Sequence, residues 1–143
     1  MAATSAEPSA APAAADEAVR WYAGYFGLQA VAGIAFWALV AWVGPINELF
    51  QMSKARHAVT NSFLFADLVI GIAGSAVAAV GLWRARRWAG ALALFVAGGM
   101  VYATVYLVGW VAFTGDGAAL LALMIPPSSL SAWCAVQGWR LTR

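Results

Sequence analysis

Residues 62–83 read SFLFADLVIGIAGSAVAAVGLW, an apolar run interrupted by one acid, Asp67. At about 1.5 Å per residue, such a run crosses the roughly 30 Å hydrocarbon core of a bilayer as a helix. Helix is demanded there, because lipid offers no partner to a backbone N–H or C=O and the chain must satisfy them internally. Three further runs of this kind lie at Trp21–Gly44, Trp88–Phe113 and Ala118–Trp139. The expected fold is all-α: a four-helix transmembrane bundle threaded up-down-up-down.

Composition agrees with that reading. Hydrophobic residues make up 64% and charged residues 10% of the 143 residues, against roughly 45–50% and 25% in soluble domains. Residues 19–143 should form a single membrane domain with short connections. Residues 1–18, MAATSAEPSAAPAAADEA, have neither the basic start nor the apolar core of a signal peptide. They also offer too little bulky apolar surface to offset the entropy of folding, so a disordered cytoplasmic tail is expected.

Arg20, Arg84, Arg86, Arg87, Arg140 and Arg143 fall on one side of this threading, and Lys54 and Arg56 on the other. The cationic side is normally cytoplasmic, which places both termini inside. Trp21, Trp42, Trp83, Trp88, Trp110 and Trp139 lie near span ends, where indoles anchor helices at the interface. The longest connection, Pro45–Asn61, is on the outer side. Ile46, Leu49 and Phe50 recur in it at helical spacing, so it reads as a short surface helix with Pro45 in its first turn, or as a solvated loop. Ala30–Gly44 and Phe95–Gly109 share seven identities in fifteen positions, but all seven are Ala, Gly or Val, the residues that match most often by chance.

An ionised carboxylate facing lipid would cost on the order of 2 kcal/mol or more, so Asp67 should face protein, water or a ligand. Below it, Gly71, Gly74, Ser75, Ala78 and Ala79 make a stripe of small side chains, and Ala89, Ala93 and Ala97 make another on the third span. Such stripes let helices approach closely. A tight hairpin about Ala85 brings Asp67 level with residue 103, near Tyr102, Thr104 and Tyr106. In the fourth span Pro126 and Pro127 remove two backbone donors and should kink or open the helix. Ser128 and Ser129 follow them directly. Asp67, Tyr102, Thr104, Tyr106, Ser128 and Ser129 therefore form a candidate ligand-binding or proton-accepting pocket in the outer half of the bundle. A purely structural role also fits, with Asp67 as a hydrogen-bond acceptor and the prolines as a packing kink. Gln29, in the first span, reads as a bridge between helices.

Cys134 is the only cysteine and His57 the only histidine. An intrachain disulfide, paired-thiol chemistry, bis-histidine haem and histidine-rich metal sites are excluded. Cys134 reads as a small apolar residue of the fourth span. No phosphate loop, catalytic triad or metalloprotease motif occurs, and no basic run suggests nucleic acid. No cofactor or metal is expected, and the chain reads as a non-enzyme.

Asn61-Ser62, Asp67, Gly81-Leu82, Trp88 and Leu92 resemble a pattern in small four-span bacterial membrane proteins to which no activity is assigned. The resemblance implies a bacterial inner-membrane setting and draws attention to Asp67. The first expectation for function is a non-catalytic bundle that packs against a larger membrane protein or itself, as accessory or scaffold subunit. The alternative is a small transporter or binding protein for an apolar or cationic ligand. The threading is testable: a reporter active only outside the membrane should be silent when fused at the C-terminus and active when inserted at Gly115. Strong activity from the C-terminal fusion would overturn it.

Overall fold

The computed structural model describes residues 10–52 and 57–143, with the side chains of 10–15 and 57 outside the description. Lys54, Arg56 and the first half of the expected tail therefore lie outside the described residues. Helices α1 (Ala10–Trp42), α2 (Gly44–Leu49) and α3 (His57–Ala66) are followed by a π-helical segment, Asp67–Gly74, which runs on into α4 (Ser75–Trp83). Helices α5 (Arg87–Thr114) and α6 (Ala118–Thr142) complete the chain. Four helical stretches are long and apolar enough to cross a membrane: Asp16–Trp42, Ala58–Trp83, Arg87–Thr114 and Ala118–Thr142. The protein is an all-α four-helix bundle and a small multi-pass integral membrane protein.

Three boundaries differ from expectation. Residues 10–18, expected in the tail, already belong to α1. The second span begins at Ala58 rather than Ser62, so Asp67 sits about 14 Å along it rather than about 8 Å, roughly a third of the way. The fourth helix runs unbroken through Pro126 and Pro127. Pro126 and Pro127 still deny the carbonyls of Ala122 and Leu123 their usual donors four residues on.

The turns follow from local chemistry. At Trp83–Arg87, Arg86 N–H donates to the Gly81 carbonyl and Ala85 N–H to that of Leu82, each at 2.9 Å. This is a Schellman closure with Ala85 at φ 50°, in the left-handed position that normally takes glycine. At the opposite end Gly115 (φ 74°) stops α5 and Gly117 (φ 85°) starts α6. The expected short helix after Pro45 is present as α2, with the proline in its first turn.

Small side chains pack tightly at the end carrying the Arg84–Arg87 turn, here termed the arginine end. Ala78, Leu82, Ala89, Ala93, Val96 and Ala97 are buried there with Ala23, Phe26 and Cys134. The two small stripes meet: a Cβ on Gly74 would lie 2.8 Å from Val96, and one on Gly81 2.7 Å from Ala89. On Gly90 it would lie 2.9 Å from the Trp139 backbone, which cannot move aside without shifting α6. Gly98, by contrast, has open space around its Cβ position. Gly90→Ala should therefore destabilise the protein by about 1–3 kcal/mol, whereas Gly98→Ala should be neutral or stabilising by up to about 1 kcal/mol. Thermal unfolding of both variants in one detergent checks this; equal behaviour would contradict the packing.

Candidate functional site

Between the arginine-end core and the opposite, loop end lies a cavity of about 510 Å³. Its walls come from α1 (Tyr25, Gln29, Gly33, Phe36, Trp37), the second span (Phe63, Asp67, Gly71, Ile72), α5 (Met100, Ala103, Leu107) and α6 (Leu123, Pro126, Pro127, Leu130). Two features make the space. Gly71 contributes no side chain, and the π segment widens the helix through its i→i+5 hydrogen bonding. In a π turn residues i+4 and i+5 lie close above residue i, so Asp67, Gly71 and Ile72 all reach the cavity wall.

Asp67 is the one carboxylate of the lining. Its Oδ2 accepts a hydrogen bond of 3.0 Å from the indole Nε1–H of Trp37. No second donor to the carboxylate is present among the described residues. Trp37 was not among the residues expected at the site. The signal for it was available, since an indole N–H in mid-span needs a partner, but the partner's identity depended on helix rotation.

The structure places the other expected residues elsewhere. Ala103 is indeed level with Asp67 and lines the cavity with Met100 and Leu107. Residues adjacent in sequence point about 100° away on a helix, which carries Tyr102 and Thr104 off that face. Tyr102 is exposed. The Thr104 hydroxyl donates to the Met100 carbonyl at 2.9 Å and touches Ser128, whose hydroxyl donates to the same carbonyl at 3.1 Å. Ser129 bonds back to the Ile125 carbonyl on its own helix. Tyr106 stacks between Phe63 and Trp110, with ring centroids 5.5 and 6.4 Å away. Asp67, Pro126 and Pro127 thus share the cavity, and the five hydroxyl residues do not line it.

A second polar cluster borders the cavity on the arginine side. Gln29 donates from Nε2 to Ser75 Oγ at 2.9 Å and accepts at Oε1 from the Ser131 hydroxyl. It therefore bridges α1, α4 and α6, as its position suggested. The Tyr25 hydroxyl donates to the Pro127 carbonyl at 2.7 Å and lies 3.2 Å from Ser131 Oγ.

Toward the loop end the cavity is closed by Met52, which is 1% exposed. Its N–H donates to Thr60 Oγ1 at 2.8 Å and its carbonyl accepts from Trp110 Nε1–H at 2.6 Å. Trp110, expected to anchor the bundle at the interface, holds this loop instead. Sideways, Leu28, Leu123 and Leu130 line the cavity while remaining exposed, so it communicates with the bilayer between α1 and α6.

No protein-family model, curated protein or solved structure matches this chain. The site must be judged on its own geometry.

Removing the donor to Asp67 should be more damaging than replacing the acid by its amide. Trp37→Phe deletes the one hydrogen bond that the described residues give Asp67 and should cost about 1–3 kcal/mol. Asp67→Asn keeps a carbonyl oxygen for the same indole and should cost less. Thermal unfolding midpoints of the two variants measure the difference; a larger loss for Asp67→Asn would show that Trp37 is not the partner that matters.

Proposed function

We propose that the protein is a non-catalytic membrane protein that binds a small amphipathic molecule. The ligand's body is apolar, and its head is cationic or a strong hydrogen-bond donor that meets Asp67. The observation that carries this reading is a carboxylate with one donor among the described residues, on the wall of a cavity that is otherwise almost wholly apolar. A volume of about 510 Å³ lies within the range of small-molecule sites. Phe36, Trp37 and Phe63 supply aromatic surface to the same space, which favours a cationic head over a neutral one. The opening between α1 and α6 gives such a molecule a path from the bilayer.

An accessory or scaffold role was the first expectation from the small-residue faces. Those faces are occupied within the chain, by Gly74 on Val96, Gly81 on Ala89 and Gly90 on Trp139. Their engagement inside the bundle is why we favour the cavity. Export through the loop end would require Met52 to leave its two hydrogen bonds, so binding from the membrane is the simpler act.

A matched probe pair tests the proposal: benzyltrimethylammonium and its uncharged isostere neopentylbenzene, with the full-length protein in nanodiscs. Asp67→Asn should weaken binding of the cation about tenfold or more, the equivalent of about 1.4 kcal/mol, and leave the neutral compound unchanged. Equal affinity of wild type and variant for the cation would overturn the role of Asp67.

A further inference from the structure

A second recess lies on the lipid-facing surface at the arginine end, away from the cavity. It is lined by Ala23 and Gly24 of α1, by Ala79, Val80 and Trp83 of α4, and by Arg84, which caps α4. Its volume is about 320 Å³. The recess exists because α1 turns small residues toward α4: the Cβ position of Gly24 has nothing within 4 Å, while one turn further along, that of Gly27 meets Ala79 at 3.9 Å. The helices touch at Gly27 and part at Gly24.

Two cations stand at its mouth. Arg20 precedes Gly24 by four residues and so shares its helix face. Its guanidinium carbon lies 5.7 Å from the centroid of the Trp83 ring. That contact draws Arg20 across from α1 to the α4 side, where Arg84 follows Trp83 directly. Trp83 is itself exposed, the disposition of an interfacial indole. An apolar trough that runs from the membrane interior and ends beneath two guanidiniums is complementary to one kind of molecule present at that depth.

We propose that this recess binds a phospholipid with an anionic headgroup, one acyl chain lying over Gly24 and Ala79 and the phosphate meeting Arg20 and Arg84. Guanidinium suits this task because its planar fork donates two parallel hydrogen bonds to phosphate oxygens. Asp16 and Glu17 lie a turn further out on α1. They disfavour a second negative charge beyond the phosphate, and a singly charged headgroup such as phosphatidylglycerol fits best. The site is independent of Asp67, so neither proposal stands or falls with the other.

Native mass spectrometry of the full-length protein, released from detergent doped with equal amounts of phosphatidylglycerol and phosphatidylcholine, tests it. Wild type should retain one phosphatidylglycerol in preference to phosphatidylcholine. Arg20→Gln with Arg84→Gln should lower that retention by about fivefold per charge removed. Gly24→Leu, which fills open space and should leave thermal unfolding unchanged, should displace the lipid with all arginines in place. Arg86→Gln with Arg87→Gln removes the same charge outside the recess and should have little effect. Equal retention of the two lipids, retention unaffected by Gly24→Leu, or equal loss in the two double variants would each overturn the site.

Discussion

The bundle depends on one constraint: a polar group in the hydrocarbon layer must find its partner within the protein. Few polar side chains occur in the spans, and several of them tie one helix to another. Gln29 links α1 to both α4 and α6 through Ser75 and Ser131. Tyr25 ties α1 to α6 at the Pro127 carbonyl, Trp37 ties α1 to the π segment at Asp67, and Ser128 ties α6 to α5 at Met100. Between helices in lipid the hydrophobic effect supplies little drive, because acyl chains are as apolar as leucine. These bonds and the fit of small residues are what set the helices in place.

The same economy of side-chain volume shapes the interior. At the arginine end Ala, Gly and Val bring backbones together until added methyl groups would collide. At the loop end the buried set includes Met52, Leu107 and Leu120, with Phe36, Phe50, Phe63 and Trp110 packed against it, so larger side chains fill the interior. The gap between the two regimes is not filled: Gly71 and the prolines of α6 supply too little side chain to close it. The cavity is thus a consequence of where side-chain volume changes along the bundle, with the π segment adding width at Asp67.

Much of this was legible in the sequence. The runs, the turns at Ala85 and Gly115, the meeting of the small stripes and the bridging role of Gln29 follow from length, turn chemistry and residue size. Helix rotation was harder to read. These spans are apolar on all sides, so no polar face marks which side is inward, and the level of Asp67 relative to α5 could be found while its azimuth could not. Hydroxyls at Tyr102, Thr104 and Tyr106 pointed to α5 as the acid's partner, whereas Trp37 on α1 holds it. The π segment compounds the error, since one widened turn re-aims every residue after it. The folding of Met52 back over the cavity rests on Thr60 and Trp110, residues remote in sequence, and nothing local announces it.

Asp67 also bears on whether the cavity is functional or a packing defect. A carboxylate kept only to receive the Trp37 indole would be a poor choice, since an asparagine oxygen accepts the same bond without the cost of a charge in the membrane. A leucine in its place would leave the indole without a partner, at about 1–3 kcal/mol. What the acid adds over the amide is a second acceptor oxygen and the capacity for negative charge. Among the described residues neither is used by the protein itself. Groups of this kind are stable in lipid only when water, a proton or a ligand completes them. The residue's chemistry and the open space beside it therefore point the same way: the fold leaves at Asp67 an acceptor oxygen that none of the described residues satisfies.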